Sequence, residues 1–121
     1  MSKSEIQEKL KKIRDSRREF EVLRERHETY SKLYGDNGKE ARELKKELSD
    51  KRRVLINQIH DAQDMIDKLQ DISERSTLSL YYIDCLPMAV VAERLFYTER
   101  SVWGKHRTAL MNLARMSKEN S

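Results

Sequence analysis

Apolar residues recur every seven positions along two long and highly charged segments of the chain. The first series consists of Ile6, Ile13, Phe20, His27 and Tyr34, with Leu10, Leu23 and Tyr30 on the flanking rows. The second series consists of Ala41, Leu48, Leu55, Ala62 and Leu69, widened by Leu44, Ile59, Met65, Ile66 and Ile72. A seven-residue repeat is typical of long amphipathic helices that pack along one face. The pattern therefore predicts two long helices.

A strong turn signal, GDNG at Gly35–Gly38, separates the two series. Two glycines around Asp-Asn disfavour a continuous helix, and so short a link favours an antiparallel hairpin. The second heptad row is weak, because it holds Lys9, Ser16, Lys51 and Gln58. We therefore expect the hairpin to complete its burial either by forming a homodimer or by packing on the C-terminal segment.

The heptad pattern falters between Asp71 and Leu78, and this change marks the predicted domain boundary; the alternative is a helix that runs through the segment. Residues 1–75 are predicted to form the hairpin, a dimerisation or docking arm, and residues 76–121 a small domain that leans on it. In that domain Leu78, Tyr82, Ile83 and Leu86 share one helical face, and Pro87 opens the next helix. A last helix from Glu99 to about Met116, capped by Thr98, is expected to bury Val102, Ala109, Leu110 and Leu113. The predicted fold class is all-α, a coiled-coil-like hairpin followed by a small helix-turn-helix domain.

Composition narrows the functional classes. The chain has 25 basic and 21 acidic residues, so its net charge of +4 permits a nucleic-acid partner without requiring one. One cysteine and the lack of an 18-residue apolar run indicate a cytoplasmic protein without a membrane partner. The three histidines, His27, His60 and His106, lack metal-ligand spacing, and no catalytic motif has a supporting context. We therefore expect neither a metal, a cofactor nor enzyme activity.

The segment LSLYYIDCLPMAVVAERLFYTERSVWGKHRTALMNL, Leu78 to Leu113, resembles the helix-turn-helix of bacterial sigma-factor region 4 and its phage-borne relatives. The positions that carry the resemblance are Leu80, Tyr82, Leu86, Val91, Ala92, Leu95, Thr98, Ser101, Val102, Ala109 and Leu110. It covers under a third of the chain, and the remainder does not resemble the other sigma-factor regions. The resemblance thus implies a small phage or mobile-element regulator, similar to the RinA and ArpU late-transcription regulators.

Three residues depart from the pattern of that family. Cys85 stands at the usual loop glycine, Pro87 at the usual serine and Phe96 at the usual turn glycine. A glycine in such a turn normally adopts a left-handed backbone, so Phe96 implies either mild strain or a different turn.

The resemblance implies that the helix from Glu99 enters the major groove of double-stranded DNA. The residues then expected on its free face are Thr98, Arg100, Ser101, Trp103, Gly104, Lys105 and Arg107. Arg100 is the candidate for a guanine contact, whereas Lys105 and Arg107 are candidates for phosphates. Ser101 suits a base edge or a phosphate, and Gly104 permits close approach of the backbone. Trp103 either packs on DNA, against a thymine methyl or the sugar-phosphate backbone, or seals the helix against the hairpin.

Two hypotheses from different classes follow. The first is a sequence-specific DNA-binding regulator of transcription whose hairpin dimerises or docks on a partner. The second is a protein-interaction module, or inhibitor, that binds RNA polymerase or another protein through the sigma-like domain. Charge discriminates between them weakly, since six basic and four acidic residues follow Arg75.

Overall fold

The computed structural model describes residues 1–119, and every regular element in that range is helical. The α-helices, in chain order, are α1 (Lys3–Tyr34), α2 (Lys39–Ile66), α3 (Ile72–Leu78), α4 (Met88–Leu95) and α5 (Glu99–Glu119). A π-helical segment, Ser79–Ile83, continues directly from α3. The predicted all-α class is confirmed, with a long antiparallel hairpin followed by a small helical domain.

The chain divides into two compact units. The hairpin unit is Asp15–Gln58, and the larger unit is Met1–Arg14 together with the chain from Ile59 onward. This division differs from the predicted domains of residues 1–75 and 76–121, because both ends of the predicted hairpin belong to the larger unit.

In the hairpin unit, the end of α1 and the start of α2 run antiparallel on either side of the predicted turn. Gly35 has a φ of 78°, a left-handed conformation that glycine adopts without a steric penalty. Lys51 Nζ lies 3.4 Å from Glu19 Oε2 across the two helices. The buried apolar side chains of this unit are Leu23, Ala41 and Leu55. The unit is thus a helical hairpin with few buried apolar side chains between its helices.

In the larger unit, the heptad residues are more deeply buried. Ile6, Leu10, Ile13, Ala62 and Ile66 are each at most 1% exposed. The amino group of Met1 donates to Ser117 Oγ in α5 at 2.7 Å. The first turns of α1 therefore share a core with the C-terminal helices, as expected for a C-terminal segment too short to bury a core alone.

Two residues assigned to the apolar face by the heptad pattern are exposed instead. Tyr34, the last residue of α1, is 72% exposed, and Ile72 is 71% exposed. Since α2 ends at Ile66, Ile72 does not extend its face but opens the separate helix α3. The predicted second helix was therefore too long.

The segment where the heptad pattern falters contains α3. Asp71 caps this helix, because its carboxylate accepts hydrogen bonds from the backbone amides of Ser73 (2.8 Å) and Glu74 (3.2 Å). Two polar residues of α3, Glu74 and Thr77, are buried. Glu74 accepts a hydrogen bond from the side-chain amide of Asn112 in α5 (2.7 Å). Helix α3 is thus held by polar contacts that an apolar repeat does not reveal.

Helices α4 and α5 pack around a small apolar cluster. Its buried members are Met88, Val91, Ala92 and Val102. Pro87 precedes α4, and its carbonyl accepts hydrogen bonds from the amides of Val90 and Val91.

No helix of residues 1–119 has the length and apolar character needed to cross a bilayer.

Both positions where the resembled family has glycine adopt a left-handed backbone. Cys85 has a φ of 58° and Phe96 a φ of 61°. At Phe96 the amide of Tyr97 donates to the carbonyl of Ala92 and that of Phe96 to Glu93, which is the Schellman arrangement of a helix end. Of the two alternatives for Phe96, the structure thus shows the strained one: the left-handed turn is kept, and a residue with a β-carbon occupies it.

Candidate nucleic-acid interface

The start of α5 is fixed by the predicted cap. Thr98 Oγ1 accepts a hydrogen bond from the backbone amide of Ser101 (3.1 Å). The Thr98 hydroxyl in turn donates to Ser101 Oγ (2.9 Å). Both side chains are exposed, yet they are bonded to each other, which holds the first turn of α5 in place.

Helix α5 has one buried face and one free face. The buried residues are Val102, His106, Ala109, Leu110 and Leu113, which include all four that the sequence predicts. On the opposite side, Arg100, Ser101 and Arg107 are exposed and Gly104 is partly exposed. These four residues meet because they recur at steps of three and four along the helix.

The same helical steps extend the free face beyond the residues chosen from the sequence. Thr108, Met111 and Arg115 are the next members, and Thr108 and Arg115 are exposed while Met111 is 56% exposed. These three residues lie beyond the first two turns of α5, which the resemblance places in the major groove. Counting on in steps of four from Arg100 identifies Thr108, and from Arg107 it identifies Met111 and Arg115.

Trp103 lies on one flank of the free face and not at its centre. Its ring centroid is 5.6 Å from that of Tyr81 and 5.4 Å from that of His106, both edge to face. The guanidinium of Arg14, in the first turns of α1, lies 4.4 Å from the centroid of the Tyr81 ring. Trp103 is nevertheless 43% exposed. It therefore packs on its own chain with one part of the indole and is open to solvent with the rest.

Lys105 lies on the other flank of α5. Its Nζ is 3.8 Å from Asp71 Oδ2, the residue that caps α3. Hydrogen bonds from Ser73 and the amide of Glu74 lower the pKa of Asp71, and the charge of Lys105 adds to the effect. Trp103 and Lys105 are thus on opposite flanks of α5. The sequence predicts that both share one face with Arg100, whereas in the structure they lie on either side of that face.

Arg100 and Arg107 make no ion pair or hydrogen bond within the part of the chain that the structure describes. Between Glu99 and Glu119 helix α5 has no acidic residue, whereas Arg100, Lys105, Arg107, Arg115 and Lys118 are basic. A free face with unpaired arginines and no carboxylate is positively charged, and it attracts anionic groups.

Gly104 interrupts this face with a position that has no side chain. Glycine in a helix interior is about 1 kcal/mol less favourable than alanine. A β-carbon added at Gly104 would meet no atom within 4 Å, and the φ of Gly104 is not positive. The fold itself therefore does not require a glycine here.

A buried polar pair anchors α5 from behind. The Tyr82 hydroxyl and His106 Nε2 are 2.6 Å apart, and both side chains are buried. Burial raises the pKa of Tyr82 to about 12. Burial also lowers the pKa of His106 to about 4, with contributions from the charges of Lys3 and Lys11. The pair cannot be predicted from the sequence, since the two residues are 24 positions apart and no local pattern links them.

One protein-family model matches the chain, over residues 37–114, and its description is "Protein of unknown function (DUF1492)". The matched range begins in the hairpin turn and includes α2, α3, α4 and most of α5. No curated protein and no solved structure matches the chain. Because the match extends over more than half of the residues, the chain belongs to the DUF1492 family.

Proposed function

We propose that the protein is a sequence-specific DNA-binding regulator of transcription in the cytoplasm, of the kind carried by phages and mobile elements. Helix α5 enters the major groove of double-stranded DNA with its free face. The observation that carries this proposal is the group formed by Arg100, Ser101, Gly104 and Arg107. They lie together in the first turns of α5, opposite a buried face, and between Glu99 and Glu119 the helix has no acidic residue.

The way in which α5 is held supports the proposal. A helix that reads base edges must be presented rigidly, since a small displacement loses bidentate contacts. Ala92 of α4 and Val102 of α5 are buried in one cluster, and Thr98 caps the first turn. Asn112 and His106 attach the later turns of α5 to α3 and the π-helical segment. The free face is therefore supported along its length.

Four side chains of α5 have distinct proposed roles. Arg100 donates two hydrogen bonds to a guanine, and Arg107 contacts a phosphate. Lys105 contacts a phosphate. Because it gives up its ion pair with Asp71 to do so, the net gain in binding free energy is small. The exposed edge of Trp103, on the flank, packs against the sugar-phosphate backbone.

The test is selection of binding sequences from random double-stranded DNA at low salt, followed by binding measurements on the enriched sequence. Arg100→Ala is expected to weaken binding to that sequence by about 1–3 kcal/mol and to relax the preference at one base pair. Lys105→Ala is expected to cause a smaller loss that is similar for all sequences and to reduce the salt dependence.

Equal losses for the two variants on cognate and random DNA would contradict base reading by Arg100. If neither variant changes the affinity for the enriched sequence, the protein does not bind DNA through this face. The native fold of both variants is checked by circular dichroism, and because both side chains are partly or fully exposed, no change is expected.

A second candidate function is binding of a protein, RNA polymerase included, through the small helical domain. Exposed aromatic side chains near the turn between α4 and α5 favour it: Phe96 is 94%, Tyr97 43% and Trp103 43% exposed. Exposed apolar surface of this kind is typical of protein interfaces. Enrichment of no DNA motif at low salt would favour this candidate over the first.

The proposed regulator forms a homodimer through the hairpin unit. Val22 and Leu23 line a groove of about 500 Å³ in this unit. The charged residues around the groove have both signs, and they are Arg18, Glu19, Arg26, Glu47 and Lys51. Charges of both signs around apolar residues allow opposite charges to pair across a two-fold axis, which is what the interface of a homodimer requires.

A further inference from the structure

The protein's own structure does not explain why residue 104, on the free face of α5, is a glycine. Its backbone is helical, and an added β-carbon would meet no atom within 4 Å. Alanine would therefore fit the fold and favour the helix. A glycine retained where alanine fits is useful when something outside the chain approaches the backbone closely.

The surroundings of Gly104 form a notch in a basic surface. Arg100 and Ser101 precede it by one turn, and Arg107 and Thr108 follow it by one turn. The Thr108 hydroxyl donates to the carbonyl of Gly104 (3.0 Å), so this donor is satisfied inside the helix. The floor of the notch is then the Cα of Gly104, which offers no polar hydrogen, and its rim carries two arginines.

The surface around the notch carries two carboxylates besides its basic residues. Asp71 and Glu74 line one groove together with Gly104, Lys105 and Arg107. Asp71 is paired with Lys105, and Glu74 accepts a hydrogen bond from Asn112. Arg100, Lys105 and Arg107 outnumber these two carboxylates, so the surface around Gly104 keeps a net positive charge that is complementary to DNA.

We propose that Gly104 is the point of closest approach between α5 and the base-pair edges of the major groove, and that a thymine C5-methyl group fills the notch. This inference rests on the proposed DNA-binding function and adds a specificity determinant to it. The C5-methyl is the apolar group that base pairs expose in the major groove, so it suits a floor without hydrogen-bond donors. Arg100, one turn away, then reaches a neighbouring base pair.

The test is Gly104→Ala, which acts in opposite directions on stability and on binding. The melting temperature of the free protein rises by roughly 2–6 °C, because alanine favours the helix and meets no neighbour. The dissociation constant for the selected sequence rises at least tenfold, because the new methyl group holds α5 away from the bases. The matched control is Gly38→Ala in the hairpin turn, where a β-carbon also has open space, and it leaves DNA affinity unchanged.

Uracil substitution identifies the group in the notch. Each thymine of the selected sequence is replaced in turn by uracil, which lacks the C5-methyl. One replacement weakens binding of the unmodified protein several-fold and has no further effect on the Gly104→Ala variant.

Unchanged affinity of Gly104→Ala for the selected sequence would overturn the inference while leaving the proposed function in place. Equal weakening on all DNA, without a uracil-sensitive position, would show a backbone contact and would also overturn it. If the unmodified protein enriches no sequence, the proposed function fails and the inference fails with it.

Discussion

Phe96 carries an unfavourable backbone conformation on an almost fully exposed side chain. Its φ of 61° and ψ of 38° are left-handed, and 94% of its surface is open to solvent. The left-handed region costs a residue with a β-carbon about 1 kcal/mol or more relative to glycine. Little packing offsets this cost, so the position stores strain at the turn between α4 and α5.

Phe96→Gly is therefore expected to raise the free energy of unfolding by about 1 kcal/mol. Urea unfolding followed by circular dichroism measures the change. Phe96→Ala is the control, because it removes the exposed ring but keeps the strain, and it should differ from the unmodified protein by less than about 0.5 kcal/mol. A Phe96→Gly variant no more stable than Phe96→Ala would show that this turn is not strained.

Individual packing and capping residues were predictable, whereas partners distant in sequence were not. Val102, Ala109 and Thr98 follow from helical spacing and cap preference, which are local properties. The contact of Lys105 with Asp71 joins residues of different helices, and only the tertiary structure brings them together. The same reason explains why the contacts of Trp103 with Tyr81 were not foreseen.

At the scale of elements, α5 is attached to the π-helical segment through one buried hydrogen bond. His106 faces Tyr82, Tyr81 and Trp103, and the charges of Lys3 and Lys11 on α1 act on it. These surroundings disfavour a protonated imidazole, and the pKa of His106 falls to about 4. Helix α5 is therefore held by a neutral histidine.

Stability should decrease as the pH falls from about 6.5 towards 4. In this window the unfolded chain binds a proton at His106 and the folded protein does not, so folding is progressively disfavoured. The stability that depends on a neutral His106 is fully present above the unfolded pKa of about 6.5. Below it, the free energy of unfolding falls with a slope that approaches about 1.4 kcal/mol per pH unit. Urea unfolding across this pH range measures it.

His106→Gln is the comparison variant for this pH dependence. It lacks the titrating group and should be less stable at neutral pH, but with a shallower loss between pH values of about 6.5 and 4. If the free energy of unfolding falls equally with pH in the two proteins, His106 is not held neutral in the folded state.

Helix α3 shows why an element was missed although a signal for it exists. Glu74 and Thr77 are buried polar residues, so the segment has no apolar repeat. Asp71 and Glu74, however, have the spacing of an N-cap and the third helical residue. The capping signal predicts a helix start where the apolar pattern predicts none.

At the scale of the whole molecule, apolar burial is unequal between the two units. Among residues 1–119 the hairpin unit buries Leu23, Ala41 and Leu55, and all other buried apolar side chains belong to the larger unit. Val22, Leu33, Tyr34, Val54 and Ile56 in the hairpin unit are exposed by 45% or more. A second copy of the chain would cover part of this surface.

Val22→Glu should reduce the fraction of dimer, since Val22 lines the proposed groove and is 49% exposed. Ile56→Glu is the matched control: Ile56 is 45% exposed in the same unit but does not line the groove, so the mass should not change. Light scattering at micromolar concentrations measures both. A monomeric mass for the unmodified protein would contradict the dimer proposal, and equal effects of the two variants would contradict this choice of surface.

The general architecture was predictable because it follows from composition and periodicity. Sparse glycine and proline, two heptad series and one strong turn specify a helical hairpin. The division into units was not predictable, because the burial of Ile6 and Ile13 depends on neighbours from the far end of the chain.

The left-handed turn at Gly35 has a practical consequence for work on this protein. Asp36 and Asn37 are exposed, and a β-carbon at either neighbouring glycine would have open space. Exposed turns of this kind tolerate inserted sequence, because the added residues disturb no buried group. A fluorescent or affinity tag inserted between Asp36 and Asn37 would therefore leave α5 and both chain ends unmodified.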